Sequence, residues 1–347
     1  MIDFVGRTRE NNGIKGYVQK MDIEPNSKNI ISISQIGTIV AQIRTDEWYA
    51  SQNIFSLKPK NKNLISLLIL SSINKVLWGT FSDGYSNYPT LKKLEKLKIS
   101  LPIKKNTNVG NDCNRSLQIE NIDFDFIEKF IAELNAKHLA ELNAYLLSTG
   151  LKDYKLTPRE EEALNEFDDR CFEENKIIDI FDVKNSGNIL ARDIVPNSGN
   201  IPYLCASKDN NAVSSYISYD EKYLDKGDCI FIGGKTFVVS YQEKDFYSND
   251  SHNLILYLKE KARKTKLNQL FLATCINKSL EHKYSWGNSI SNKKIQKDYF
   301  SLPTKNGKLD FEFMETLISA VQKLVIKDVV NYAEREEKAM REIIGRE

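Results

Sequence analysis

Arg7, Arg9, Asn11, Asn12 and Lys15 crowd one short polar stretch, RTRENNGIK. Lys208, Asn210 and Asn211 crowd another, KDNN. Arginine and lysine suit guanine edges or phosphates, and asparagine suits adenine, so both stretches carry the side chains of nucleic-acid contact. Two later loops add aromatic and polar groups: Tyr85, Ser86, Asn87 and Tyr88 in one, Trp286, Asn288, Ser289 and Lys293 in the other. Asn-Asn-Gly is first of all a turn, because both residue types tolerate left-handed backbone. Base contact is therefore a reading of the loops as a set rather than of any one residue. Gly233-Gly234-Lys235-Thr236 invites a phosphate-loop reading, but Cys229 stands where that pattern needs glycine, and Phe237 to Ser240 reads as strand rather than helix. A glycine-rich β-turn is expected there, from which Lys235 can touch a phosphate.

Catalysis is not written in the chain. His138, His252 and His282 lie far apart, and no carboxylate-plus-lysine nuclease set, glycine-rich cofactor turn or Asn-Pro-Pro-Tyr methyl-transfer tetrapeptide occurs. No catalytic residue, metal ligand or cofactor site is therefore expected. Five scattered cysteines, without a CxxC, read as free thiols of a reducing compartment, which places the protein in the cytoplasm. No apolar run is long enough to cross a membrane, and no signal peptide is apparent. Composition, with 41% hydrophobic and 28% charged residues over 347, is that of a globular protein, and the length suits two modules. A net charge of +2 argues against a basic tail but leaves room for a basic face.

The polar stretches sit between elements that must position them. In the first module Ile2–Val5 and Ile14–Val18 read as strands around the Asn-Asn-Gly turn. Residues 29–34 and 38–43 are β-branched runs split by Gly37, residues 53–57 form another strand, and 64–76 form a helix with Leu64, Leu67 and Leu68 on its apolar side. A short helical turn at 91–98 and a strand at 99–101 follow, then a polar, Asn-rich insertion at 104–118. In the second module Ile177–Val183 reads as a strand. IPYLCASKDNNAVSSYI, from Ile201, then aligns without a gap on IDFVGRTRENNGIKGYV, from Ile2. The likeness continues downstream: Gly227 answers Gly37, Tyr247-Ser248 answers Tyr49-Ala50, Leu267–Ile276 answers the helix at Leu64, and Tyr284-Ser285-Trp286-Gly287 answers Phe81-Ser82-Asp83-Gly84. A period this long means two copies of one domain, not a solenoid.

Each copy ends in a helix. IDFDFIEKFI at Ile122–Ile131 returns as LDFEFMETLI at Leu309–Ile318, each after a Leu-Pro. The first helix carries Ile127, Ile131, Leu134, His138, Leu142 and Tyr145 as an apolar stripe over about 25 residues, roughly 37 Å, with His138 a packed core histidine. The last carries Met314, Leu317, Val321 and Leu324, extended by Met340, Ile343 and Ile344. Their apolar faces are expected to bury each other as an antiparallel coiled-coil spacer. Thr157-Pro158-Arg159-Glu160 is a capping box that opens a further helix to about Arg170. The expected architecture is α+β, with domains at 1–121 and 171–308, a helical segment at 122–170 and a final helix at 309–347.

Taken in order and twice over, these segments, with GDCIFIGGKT, YSWGNSIS and SLPTKNGKLDFEFMETLI, resemble the specificity subunits of type I restriction-modification enzymes. The resemblance spans nearly the whole chain. It implies two target recognition domains, each reading half of a split sequence in double-stranded DNA, and helices that seat methyltransferase (modification) subunits. S-adenosylmethionine, and ATP in the type I case, would bind those partner subunits, and a restriction subunit could join them. The chain departs from the family pattern in having only Met1 before its first IDFV where about thirty residues precede IPYL, so the first domain is expected to lack its opening strand and turn. The closely similar recognition subunit of a type IIB enzyme, whose partner is a fused methylase-nuclease, fits equally well. An independent DNA-acting enzyme and a helical interaction protein are the readings from other classes.

Overall fold

The computed structural model describes residues 1–105 and 118–344, with side chains to residue 339. Most of the Asn-rich insertion, Cys113 and the side chains of Met340, Ile343 and Ile344 lie outside the described residues. The chain divides into two compact units, Met1–Leu142 and Asn143–Glu347.

In the first unit β1 (Ile2–Val5) lies between β2 (Ile14–Val18), antiparallel, and β5 (Trp48–Ala50), parallel. A second sheet pairs β3 (Ile30–Ser34) with β4 (Ala41–Arg44) and β6 (Ile54–Leu57). Helix α1 (Leu67–Thr80), N-capped by Ser66, covers that sheet: Ile31, Ile33, Ile39, Leu77 and Phe81 form its core. The buried face of α1 is Ile69, Asn74 and Leu77, whereas Leu67 is exposed. Leu64 and Leu68 pack as expected on the cluster of Ile69, Ile122 and Ile127, so Leu67 alone of the expected face turns to solvent. α2 is a single turn, Leu91–Leu94. Residues 99–101 form no strand, since no described residue of this unit offers them a ladder. Only Ile103 bridges Ile122. α3 starts at Phe124 and runs to Ser148.

The second unit repeats the plan. α4 (Pro158–Asn165) leads to β7 (Phe172–Lys176), α5 (Ile177–Ile180) and β8 (Phe181–Asn185). The single strand expected over Ile177–Val183 is thus broken by one helical turn that buries Ile177 completely. β9 (Ile201–Leu204) lies between β10 (Val213–Ile217) and β13 (Tyr247–Ser248), as β1 lies between β2 and β5. Tyr247 faces Tyr203 just as Tyr49 faces Phe4. β11 (Cys229–Gly233), β12 (Val238–Gln242), β14 (Leu254–Leu258) and β8 make the second sheet, under α6 (Lys266–Leu280). This register corrects one equivalence: Gly227 precedes β11, whereas Gly37 follows β3, so the turn at Gly233–Thr236 is the counterpart of Gly37. α7 (Asn292–Ile295), β15 (Tyr299–Lys305), β16 (Lys308–Leu309) and α8 (Phe311–Ile344) complete the unit.

The duplicated Asp-Phe motif has one job in both copies. Asp123 accepts from Phe126 N and donates its own N–H to Pro102 O. Asp310 accepts from Phe313 N and donates to Pro303 O in the same way. Each aspartate is an N-cap tied to the preceding Leu-Pro, which aims the helix off its domain. The fourth residue of each helix then docks on its own core, Ile127 beside Ile69 and Met314 beside Phe271. Beyond that turn the stripes differ from expectation. Ile131 and Leu142 are half-buried, and Leu139 and Leu146 are buried, but Leu134, His138 and Tyr145 are exposed. On α8 Met314 and Leu317 are buried while Val321 and Leu324 are exposed.

α4 is locked onto α8 by a buried carboxylate. Thr157 and Glu160 form the capping box, ending at Asn165 rather than Arg170. Glu160 also accepts from Ser319 Oγ at 2.6 Å and from Lys323 Nζ at 2.9 Å. Burial works against its charge, but Ser319, Thr157 and Lys323 outweigh that and hold the carboxyl down to about 2. A carboxylate depressed in the folded state stabilises above its ordinary value, and that contribution is lost as pH falls through the folded value. Glu160→Gln should lower unfolding free energy by about 3 kcal/mol at pH 7. The deficit, followed by thermal melting, should shrink as pH drops from 4.5 towards about 2.

Candidate nucleic-acid interface

In each unit the chain between the first two strands makes three consecutive left-handed residues. Asn11, Asn12 and Gly13 have φ of 44°, 47° and 74°, and Asn210, Asn211 and Ala212 have 46°, 50° and 68°. Asparagine and glycine visit this region at low cost, but each non-glycine residue there still loses roughly 1–2 kcal/mol. Matching bonds hold the turn. Asn11 Nδ2 donates to Ile14 O and Asn210 Nδ2 to Val213 O. Asn12 Nδ2 donates to Ile43 O at 3.2 Å, and Asn211 Nδ2 to Tyr241 O at 3.0 Å. Thr8 and Ser207 each accept from the backbone two residues on.

A second side chain grips each turn from the neighbouring sheet. Arg44 Nη1 donates to Asn12 O, and Gln242 Nε2 donates to Asn211 O. Both then bond the residue two before them, Arg44 to Gln42 Oε1 and Gln242 to Ser240 Oγ. Arg44 is buried, which pulls its guanidinium down to about 10 against the opposing charge of Asp3, so it remains a cation at neutral pH. The two grips differ in bulk, and the turn residue differs to match. A Cβ on Gly13 would lie 2.5 Å from Gln42 Oε1 and 3.0 Å from Arg44 Nη2. Ala212 keeps its methyl, buried in a core with Leu204 and Phe231, beside the smaller Ser240 and Gln242 pair.

Two further loops reach each turn. In the first unit the hairpin turn at Gly37 bridges Gly84 of the late loop. Arg9 Nη2 pairs with Asp83 at 3.0 Å, and its guanidinium stacks 5.2 Å from the Trp78 ring centre. In the second unit Thr236 Oγ1 donates to Ala206 O beside Lys208, and Ile290 N donates to Gly234 O. The late loops are pinned alike: Lys93 Nζ donates to Asn87 Oδ1 and Tyr88 O, and Lys294 Nζ to Asn288 Oδ1 and Ser289 O.

The structure therefore brings Arg9, Asn11 and Asn12 together with the loop of Tyr85, Asn87 and Tyr88 in one unit. In the other it brings Lys208, Asn210 and Asn211 together with the loop of Trp286, Asn288, Ser289 and Lys293. Tyr85 and Trp286 are 77% and 75% exposed, and Tyr88 is half-buried. Lys208, Lys293 and Lys15 are exposed, Arg7 is half-exposed, and the stem of Lys15 lies across Gly6. Gly233-Gly234-Lys235-Thr236 is a β-hairpin turn with no helix after it, as its sequence requires. Lys235 pairs with Asp250 at 2.9 Å, and His252 Nδ1 lies 2.7 Å from the same carboxylate. Burial opposes the charge on Asp250, yet Lys235 and His252 hold it down to about 2. His282 is exposed and lines a groove of about 710 Å³ with Lys208 and Trp286. Among the described residues no cluster of histidine, cysteine and carboxylate could hold a metal ion. No described helix is long and apolar enough to cross a membrane.

Sequence reasoning missed Arg44, Gln42, Asp83 and Trp78, whose partners are distant in the chain. It also passed over Tyr17 and Tyr216, equivalent residues on β2 and β10 that are 61% and 46% exposed beside the turns. Their retention at one repeat position was the available signal.

A domain built twice around such loops has known relatives. The family model for the type I restriction modification DNA specificity domain matches residues 1–144 and again 170–332, so the chain belongs to that family and is a specificity subunit of a restriction-modification system. It is 23% identical over 265 residues to the type II restriction enzyme BgcI specificity subunit S.BcgI of Heyndrickxia coagulans, covering 75% of this chain and 67% of that one. In fold it is similar to the type I restriction-modification S subunit from M. genitalium, with a TM-score of 0.55 at 13% identity, over 99% of this chain and 86% of that one.

The matched turns yield a prediction. Gly13→Ala should destabilise the first unit by roughly 1–3 kcal/mol through strain and crowding. Adding Gln42→Ser and Arg44→Gln, the combination beside Ala212, should recover part of that loss. Equal losses with and without the companion changes, in thermal melts of the three variants, would dissolve the link.

Proposed function

We propose that each unit reads one half of a split sequence in double-stranded DNA and that the chain does no chemistry itself. The observation that carries this is the repeated site: in both units a clamped left-handed turn, a hairpin turn and a late loop converge, bearing exposed cations, amides and an aromatic ring. Asn11, Asn12, Asn210 and Asn211 each spend an amide hydrogen on the turn, so base contact from them uses the remaining hydrogen and the oxygen. Arg7, Lys15, Lys208, Lys235 and Lys293 supply phosphate contacts, which makes affinity fall with salt. The bases between the two half-sites are not specified.

Methyl transfer belongs to partner subunits, which bind S-adenosylmethionine. Exposed apolar side chains support a docking role for the helices: Phe126, Phe130 and Leu134 on α3, and Val321, Leu324, Val325 and Tyr332 on α8. A restriction subunit and ATP complete the type I assembly. The type II subunit among the relatives favours a second reading, in which one fused methylase-nuclease is the partner. In either case the complex works where the DNA is, in the cytoplasm.

Co-expression with a methyltransferase (modification) subunit, followed by sequencing of methylated sites, tests this. Two short specified blocks around an unspecified gap are expected. A contiguous motif, or methylation by the purified chain without a partner, would overturn it.

A further inference from the structure

Arg9 is built into the first unit differently from any other cation on the reading surface. Its Nη2 donates to both oxygens of Asp83, at 3.3 and 3.0 Å, and its plane lies over the Trp78 indole. Both supports are fixed by one buried residue. Ile39 N donates to Asp83 Oδ1 at 2.9 Å, and Ile39 O accepts from Trp78 Nε1 at 2.8 Å. The Gly37–Gly84 bridge ties the same two segments together. Arg9 still leaves about half its side chain in solvent, and its Nε and Nη1 donate to nothing among the described residues.

A guanidinium held this way has its rotamer freedom removed in advance while keeping one two-donor edge: the two Asp83 oxygens share one Nη2 hydrogen, and the other Nη2 hydrogen stays free beside a neighbouring N–H of the fork. That is the requirement for a bidentate contact, because a planar fork aimed beforehand loses little entropy on binding. A phosphate contact needs no such aim. At the equivalent place the second unit has Lys208, with no partner among the described residues, and Trp286 where the first has Asp83. There Lys208, Asn277, Glu281 and Trp286 line an open groove instead of meeting. The same loop position thus carries a held fork in one unit and a loose point charge in the other.

Resting on the DNA-reading function above, we propose that Arg9 reads a guanine in the half-site of the first unit, through its free N–H edge to O6 and N7, with Asp83 and Trp78 as positioning residues.

The test is selection of the full chain against random-sequence duplex DNA, with affinity measured across salt concentrations. Wild type should fix a guanine at one position of one half-site. Arg9→Ala should lose that preference and weaken the selected site by roughly 5- to 150-fold, leaving the other half-site intact. Arg9→Lys keeps the charge and should lose the preference nearly as fully. Asp83→Asn should weaken preference at that one position with little change in the salt slope. If Arg9→Ala weakens all duplexes alike and every base preference survives, Arg9 is a phosphate contact and the inference is wrong. If wild type selects no sequence at all, the recognition function itself fails, and this inference with it. Melting temperatures near wild type confirm that each variant is folded, as expected for a residue on the surface.

Discussion

Three consecutive residues in left-handed conformation are the constraint around which each domain is arranged. An L-residue chain does not hold such a run unaided. Here asparagine amides satisfy backbone carbonyls on both sides, and a side chain from the adjacent sheet takes the carbonyl that the turn leaves pointing inward. The turn in effect joins the two sheets of each domain. Register shifts on both sides of the duplication, at Phe4/Val5 and Val213/Ser215, mark where the strands bend into it. Its outward side is then a rigid polar edge, set where the hairpin turn and the late loop also arrive. Rigid loops on a packed scaffold are what recognition by shape and hydrogen bonding needs.

Duplication kept the scaffold and let the surface diverge. The aspartate N-caps, the parallel strand after the first hairpin, the lysine that pins each late loop and the carbonyl clamp recur with matching donors and acceptors. The groups presented do not recur: arginine against lysine, aspartate against tryptophan, tyrosine against serine. Fold and exposed chemistry thus rest on different atoms of the same loops.

Much of this was legible in the chain. The repeat, the strands around Asn-Asn-Gly, the capping box at Thr157 and the extent of α8 all follow from local spacing and from residues with strong backbone preferences. The full buried face of α1 did not, because it includes the polar Asn74, whose amide pairs with the backbone of Ala41 on the sheet. The helical turn at Ile177–Ile180 did not, since β-branched residues favour strand until packing of Ile177 decides otherwise. Gly227 was matched to Gly37 by composition alone, and only strand register separates them. At the site, the cations and amides were visible, but their commitments were not. Arg9 meets Asp83 across 74 positions, and Arg44 meets Asn12 across 32. Such pairings are properties of the fold.

The link between Gly13 and the Gln42–Arg44 pair, and between Ala212 and the Ser240–Gln242 pair, bears on inheritance. A turn carried alone from one domain to the other would meet the wrong neighbours: an alanine methyl against a guanidinium, or a glycine beside a pair too small to fill its space. Turn and strand must travel together. An exchange that keeps both domains folded therefore carries the gripping strand together with its turn, whatever it changes at the exposed positions around them.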